Sequence, residues 1–184
     1  MTNATIETRI ARPPEGEYLP YYGKYIALVP DGDVVETLRG QIAETLSLLR
    51  GIPEPRASYR YAPEKWSIKE VVGHMADVER IMAYRALRVA RDDKTPLPGF
   101  DENAYVPAAN FELRSLPSLA QELGLVRAAT VGFFETLDPA AAVRRGTAND
   151  ATITARALAY IIAGHERHHV KLLHERYLTA EPRS

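Results

Sequence analysis

The sequence predicts an all-α fold: a four-helix bundle with an irregular N-terminal arm and a long loop between the second and third helices. Three observations carry this. Four long segments place apolar residues at three- and four-residue intervals, the period of one helix face. Almost nothing alternates with the two-residue period of a strand. The first two segments also open on residues that cap helices. With 184 residues, 46% hydrophobic and 26% charged, the chain suits a single globular domain with a substantial core. We divide it into an arm (1–32), a bundle domain (33–178) and a tail (179–184).

The arm is punctuated by Pro13-Pro14, Pro20, Gly23, Pro30 and Gly32 too often for long helices. Its Tyr18, Tyr21, Tyr22 and Tyr25 are expected to pack on the body or line a cleft. The first long helix should run from Val34 to Arg50, with Asp33 and Glu36 as a capping box and Gly51 as the stop. Its apolar stripe is Val35, Leu38, Ile42, Leu46 and Leu49. The second should run from Ile68 to Ala90. Ser67 and Glu70 form its capping box, Trp66 stands at the position of a hydrophobic staple, and Val71, His74, Val78 and Ile81 share its inner face. Residues 91–114 form a long connection with Pro96, Pro98-Gly99 and Pro107. Loops of this length in compact domains usually serve a function, and this one carries Phe100, Tyr105 and Phe111, so we expect it to cover a cleft. Phe100 and Tyr105 are the expected walls, with Asp101 and Glu102 turned to solvent. The third helix follows Ser115 and reaches Leu137 through Leu119, Leu123, Val126, Thr130 and Phe133. Asp138-Pro139 should open one short helix ending near Gly146. The fourth long helix spans Ala155 to Tyr177.

The chemistry gathers on histidine. His165-Glu166-Arg167-His168-His169 places two imidazoles four residues apart, one turn above the other, so both can reach one ion. At about 100° per residue, Leu158, Ile161, Ile162, Leu172 and Leu173 define the apolar side of the last helix. His165 and His169 lie on it, His168 falls at its edge and His174 faces away. His74 lies on the inner stripe of the second helix. A buried imidazole needs partners for both nitrogens, and one shared metal would satisfy a nitrogen on each ring. Three protein ligands with an open position is the pattern of a catalytic site. The candidate ligands are therefore His74, His165 and His169. Glu166 is a candidate base, and Asp77, one turn after His74, could instead hold a ligand imidazole or pair with Arg80 or Arg85. A zincin-type protease fits poorly. Downstream of His169 the only further candidate ligands are His174, Glu175 and Glu181, and no edge strand is evident on which a peptide could lie.

Two stretches around these histidines resemble the DinB-like superfamily of YfiT-like metal-dependent hydrolases. They are Trp66-Ser67-Ile68-Lys69-Glu70-Val71-Val72-Gly73-His74-Met75-Ala76-Asp77 and Ala159-Tyr160-Ile161-Ile162-Ala163-Gly164-His165-Glu166-Arg167-His168-His169. The resemblance covers Val34 to Leu178. It implies a four-helix bundle and a metal held by His74 on the second helix and the His165/His169 pair on the last. The family includes thiol-dependent S-transferases, a thiol-dependent maleylpyruvate isomerase and many members without known substrates.

Composition bounds the rest. A net charge of −1 offers no basic excess for nucleic acid. No apolar run is long enough to span a membrane, and Met1 to Glu17 lacks the apolar stretch of a signal peptide. Cysteine is absent, which removes disulfides, thiol nucleophiles and cysteine metal sites and suits a cytoplasmic protein. The expectation is thus a cytoplasmic metal-binding enzyme with one divalent ion, zinc or nickel by ligand type. Such an ion would acidify a water in a hydrolase or activate a low-molecular-weight thiol in a transferase. The partners are a small-molecule substrate and, in a homodimer, a second copy of the chain. A non-catalytic, metal-stabilised stress or binding protein is the reading from a different class.

Overall fold

The computed structural model describes residues 10–179. Residues 1–9 of the arm and 180–184 of the tail, with Glu181, lie outside the described residues. The arm passes through a 3₁₀ turn (Pro20–Tyr22) into a short helix α1 (Gly23–Ile26). The bundle consists of α2 (Val34–Arg50), α4 (Ile68–Ala90), α6 (Leu116–Glu135) and α8 (Ala155–Leu172), and α8 continues as a π-helix to Leu178. Shorter pieces connect them: α3 (Glu54–Ala57), α5 (Glu102–Ala109), a 3₁₀ turn (Phe111–Leu113) and α7 (Pro139–Ala142). Helix α4 packs on both α6 and α8, while α2 closes the bundle against the same two. Among the described residues no helix is long and apolar enough to cross a membrane.

The start of α4 follows from local chemistry. Ser67 accepts from the Glu70 amide, and the Glu70 carboxylate accepts from the Ser67 amide, so two orphan donors are satisfied reciprocally. At α2 only half of the expected box forms. Asp33 Oδ1 accepts from Val35 N at 2.8 Å, but Glu36 turns outward to Arg39. The buried face of α6 also differs from expectation. Arg127, Val131 and Phe134 are buried, whereas Val126 and Phe133 are only half-buried, because Arg127 finds carboxylates inside the bundle.

A hairpin replaces the tail of the expected helix at 139–146. That helix stops at Ala142, and β1 (Arg145–Ala148) pairs antiparallel with β2 (Ala151–Thr154), placing Gly146 opposite Ile153. Asn149 and Asp150 both take positive φ, as the two central residues of a type I′ hairpin turn must. The connection at 91–114 is likewise more ordered than a bare loop. Leu97 donates to Thr147 O and accepts from Asn149 N, and Arg85 donates to Pro98 O at 2.6 Å. The segment after α4 is thereby stitched to the hairpin and folded back along the bundle.

Two apolar clusters fill the interior. One holds Ile26, Val78, Met82, Phe134, Leu158 and Ile162. The other holds Val71, Met75, Phe111, Leu119, Leu123 and Leu173. On α4 they meet between Ala76 and Val78, and on α8 they leave a gap from Gly164 to Lys171. The polar groups occupy this waist.

Candidate metal centre

The structure brings His74, His165 and His169 together. Each is buried, and each offers a ring nitrogen within 4.8 Å of the others. His165 Nε2 lies 3.1 Å from His74 Nε2 and 3.1 Å from His169 Nε2. A ring nitrogen has either one hydrogen or one lone pair, so His165 Nε2 cannot make two good hydrogen bonds at once. A cation among the three removes the conflict. Nitrogens around a tetrahedral ion with bonds of about 2.0–2.1 Å stand about 3.3–3.4 Å apart, and adjacent ones on an octahedral ion with similar bonds about 2.8–3.0 Å. The two 3.1 Å separations lie between these values, so both pairs fit such an ion without favouring either geometry. Burial pushes the His74 pKa down to about 4, and burial with mutual repulsion holds His165 and His169 well below the usual histidine range. All three are therefore neutral near pH 7, the form in which imidazole binds metal. His169 Nδ1 has no hydrogen-bond partner among the described residues.

His168 is half-buried and stays outside the cluster, edge-on to Tyr25 with ring centroids 5.4 Å apart, and His174 is exposed. Trp66 covers the other side of the site, its ring 4.6 Å from that of His74.

His74 and His165 line a cavity of about 420 Å³. One wall is a single face of α4: His74, Val78, Met82 and Arg85. The arm supplies Tyr21, Tyr22 and Tyr25, and the folded-back segment supplies Gly99, Phe100 and Glu102. Tyr25 packs edge-on against His165 at 5.5 Å, and Tyr21 Oη lies 3.4 Å from its hydroxyl. Phe100 is a wall as expected. Tyr105 is not, since it is exposed and stacks on Phe100 from outside. Glu102 lines the cavity instead of facing bulk solvent, and Asp101 caps α5 through the Asn103 amide.

The model of the DinB superfamily matches residues 37–173, most of the chain. The chain belongs to the DinB superfamily. Among solved structures it is similar to YfiT from Bacillus subtilis, with 18% identity, 90% coverage of each chain and a TM-score of 0.66. YfiT is described as a probable metal-dependent hydrolase with an unusual four-helix bundle topology. At this identity the likeness establishes the shared fold. Comparison with curated protein sequences finds no match.

In this DinB-superfamily bundle Glu166 points away from the histidine cavity. Its carboxylate accepts from Thr45 Oγ1 at 2.6 Å and from Gln41 Nε2, and it pairs with Arg127 at 2.7 Å. Arg127 is in turn bidentate to Glu79 at 2.8 Å and donates to Leu38 O. The waist of the bundle is thus a polar layer with two halves, histidines toward α4 and the arm, and an ion-pair network toward α2 and α6. One residue of helical rotation separates them. Asp77 makes no bond to a ligand imidazole; it lies 3.4 Å from Arg80, and burial raises its pKa. Sequence reasoning missed Arg85 and Asn149 in the cavity wall. Arg85 was readable, because residues 74, 78, 82 and 85 follow one helix face. Asn149 was not, since only the hairpin brings it there.

Proposed function

We propose that this protein is a metal-dependent enzyme, a hydrolase of small molecules, with one divalent ion held by His74, His165 and His169. The observation that carries the reading is the convergence of three buried, neutral imidazoles, two of which, His74 and His165, line an aromatic-walled cavity. When bound, such an ion supplies Lewis acidity and acidifies a coordinated water or thiol. The chain's own residues do the rest. Tyr22, Tyr25 and Phe100 shield the site from bulk water, and Trp66 and Tyr25 fix the planes of His74 and His165. Zinc and nickel are the ions this ligand set suits.

We assign Glu166 a structural role, because Gln41, Thr45 and Arg127 already engage its carboxylate. The site is complete within one chain, so the reading requires no homodimer. Absence of cysteine suits a cytoplasmic setting and means that a thiol used in a transfer reaction would come from outside the chain.

The test is turnover of p-nitrophenyl acetate by zinc- and nickel-loaded protein, with and without added 2-mercaptoethanol, in wild type and His165→Ala. Thiol-independent turnover that is lost in the variant supports the hydrolase. Turnover that requires the thiol replaces it with a transferase. A folded, metal-loaded protein that turns over under neither condition contradicts an enzyme with this substrate class.

A further inference from the structure

Arg85 has no place in the metal chemistry, yet it stands in the wall of the same cavity and is only 4% exposed. No carboxylate among the described residues lies within ion-pair distance of it. Its guanidinium donates to Pro98 O at 2.6 Å, approaches Met82 Sδ at 3.7 Å and lies over the Phe100 ring, 5.5 Å from the centroid. These contacts fix its position but do not neutralise it. The other buried cations among the described residues are answered by carboxylates, Arg127 by Glu79 and Glu166 and Lys69 by Glu54. A buried charge without a counterion is costly to fold, and one facing a cavity invites an anion.

From this we propose that Arg85 is the anchor for a carboxylate group on the substrate. The inference rests on the reading of the cavity as a substrate site. A planar guanidinium held by its surroundings pairs with a carboxylate in two parallel hydrogen bonds. The flanking rings of Tyr22 and Phe100 fit an apolar or aromatic body. Glu102, also in the wall, disfavours a doubly charged phosphate relative to a single carboxylate.

The helix sets the spacing. Arg85 follows His74 by eleven residues on the same face, about 16 Å along the axis at about 1.5 Å per residue. Helical side chains lean toward the N-terminus, so the guanidinium leans back toward the histidines. The substrate therefore carries its carboxylate at the end remote from the reacting bond.

Benzoate and its uncharged analogue benzamide test this by calorimetry and thermal shift. Wild type, Arg85→Met and Arg85→Lys are each compared, loaded with zinc and stripped of metal. Wild type should bind benzoate at least about tenfold more tightly than benzamide, the discrimination expected of a site built around a charged hydrogen bond. Arg85→Met should erase that preference while leaving benzamide unchanged. Arg85→Lys should keep part of it, which preserves the test if the Met variant folds poorly. Because the anchor lies away from the histidines, the preference should survive metal removal. It can thus be measured even if the metal reading fails. Equal binding of benzoate and benzamide by wild type, or a benzoate preference that persists in Arg85→Met, overturns the proposal.

Discussion

Gly164→Ala adds one carbon beside the metal centre, and the sign of its effect is diagnostic. In an isolated helix the change stabilises by about 1 kcal/mol, since alanine is the better helix former. Here α8 meets the backbone of the arm at this residue. A Cβ on Gly164 would lie 3.0 Å from Tyr25 Cα and closer still to the Tyr25 carbonyl carbon and oxygen. Those atoms are main chain, so relief requires moving α1 or α8, not turning a side chain. Overpacking of this kind costs about 1–3 kcal/mol, toward the upper end where the backbone must shift. Against the helix gain, a net loss of about 1–2 kcal/mol remains, or a fall in Tm of about 2–8 °C for a domain of this size. The arm should also lift. Lys24 precedes Tyr25 and its ammonium sits over the rings of Tyr21 and Tyr25, 3.9 and 4.8 Å from their centroids. Thermal unfolding by circular dichroism, with tryptic cleavage after Lys24 as the second readout, checks both. A variant at least as stable as wild type, with Lys24 equally protected, would refute the close-approach argument.

Other perturbations separate the two halves of the waist. Glu166→Gln should lower stability by about 2–3 kcal/mol, below the cost of breaking an isolated buried pair because Arg127 keeps Glu79. Metal content should be unchanged, and full stability with abolished turnover would instead mark Glu166 as a catalytic base. Glu17 is buried against Arg156 and Thr154, and the Arg156 hydrogen bond holds its pKa below the usual carboxylate range. Its contribution is therefore present above the unfolded-state pKa, about 4.3, and is lost as pH falls through the lower folded value. Glu17→Gln should cost about 1.5–3 kcal/mol at pH 7, with the gap to wild type closing in acid denaturation curves; a gap independent of pH contradicts the assignment. Trp66 is the single tryptophan and stacks near His74, so nickel should quench its fluorescence, saturating at one equivalent. His168→Ala should retain this titration and His169→Ala should lose it; the reverse would mean that α8 is rotated from the orientation described.

Much of the fold was legible because it is written in helix periodicity. The bounds of α2 and α4 follow from Asp33, Gly51 and the Ser67/Glu70 box, and the inward histidines follow from the wheel. The hairpin was not legible. Its strands are four residues each, too short for alternation to show, and Gly146 reads as a helix stop although it sits in β1. The Asn149-Asp150 turn was the available signal. Arg127 was passed over because charged residues are seldom buried, although it sits one turn from both Leu123 and Val131 on the buried face of α6. Its partners, Glu79 and Glu166, come from two other helices, and no local pattern joins them. The role of Glu166 illustrates the limit. The spacing of the His-Glu-x-x-His motif places the two histidines, but the neighbours of the glutamate depend on which helices pack against it.

The most direct test of the account is metal stoichiometry. Elemental analysis of purified wild type after exhaustive dialysis should give about one zinc or nickel ion per chain. The His165→Ala/His169→Ala double variant, folded by circular dichroism, should give almost none. Full occupancy in that double variant, or a wild type that refuses both ions at micromolar concentration, would contradict a metal centre at His74, His165 and His169.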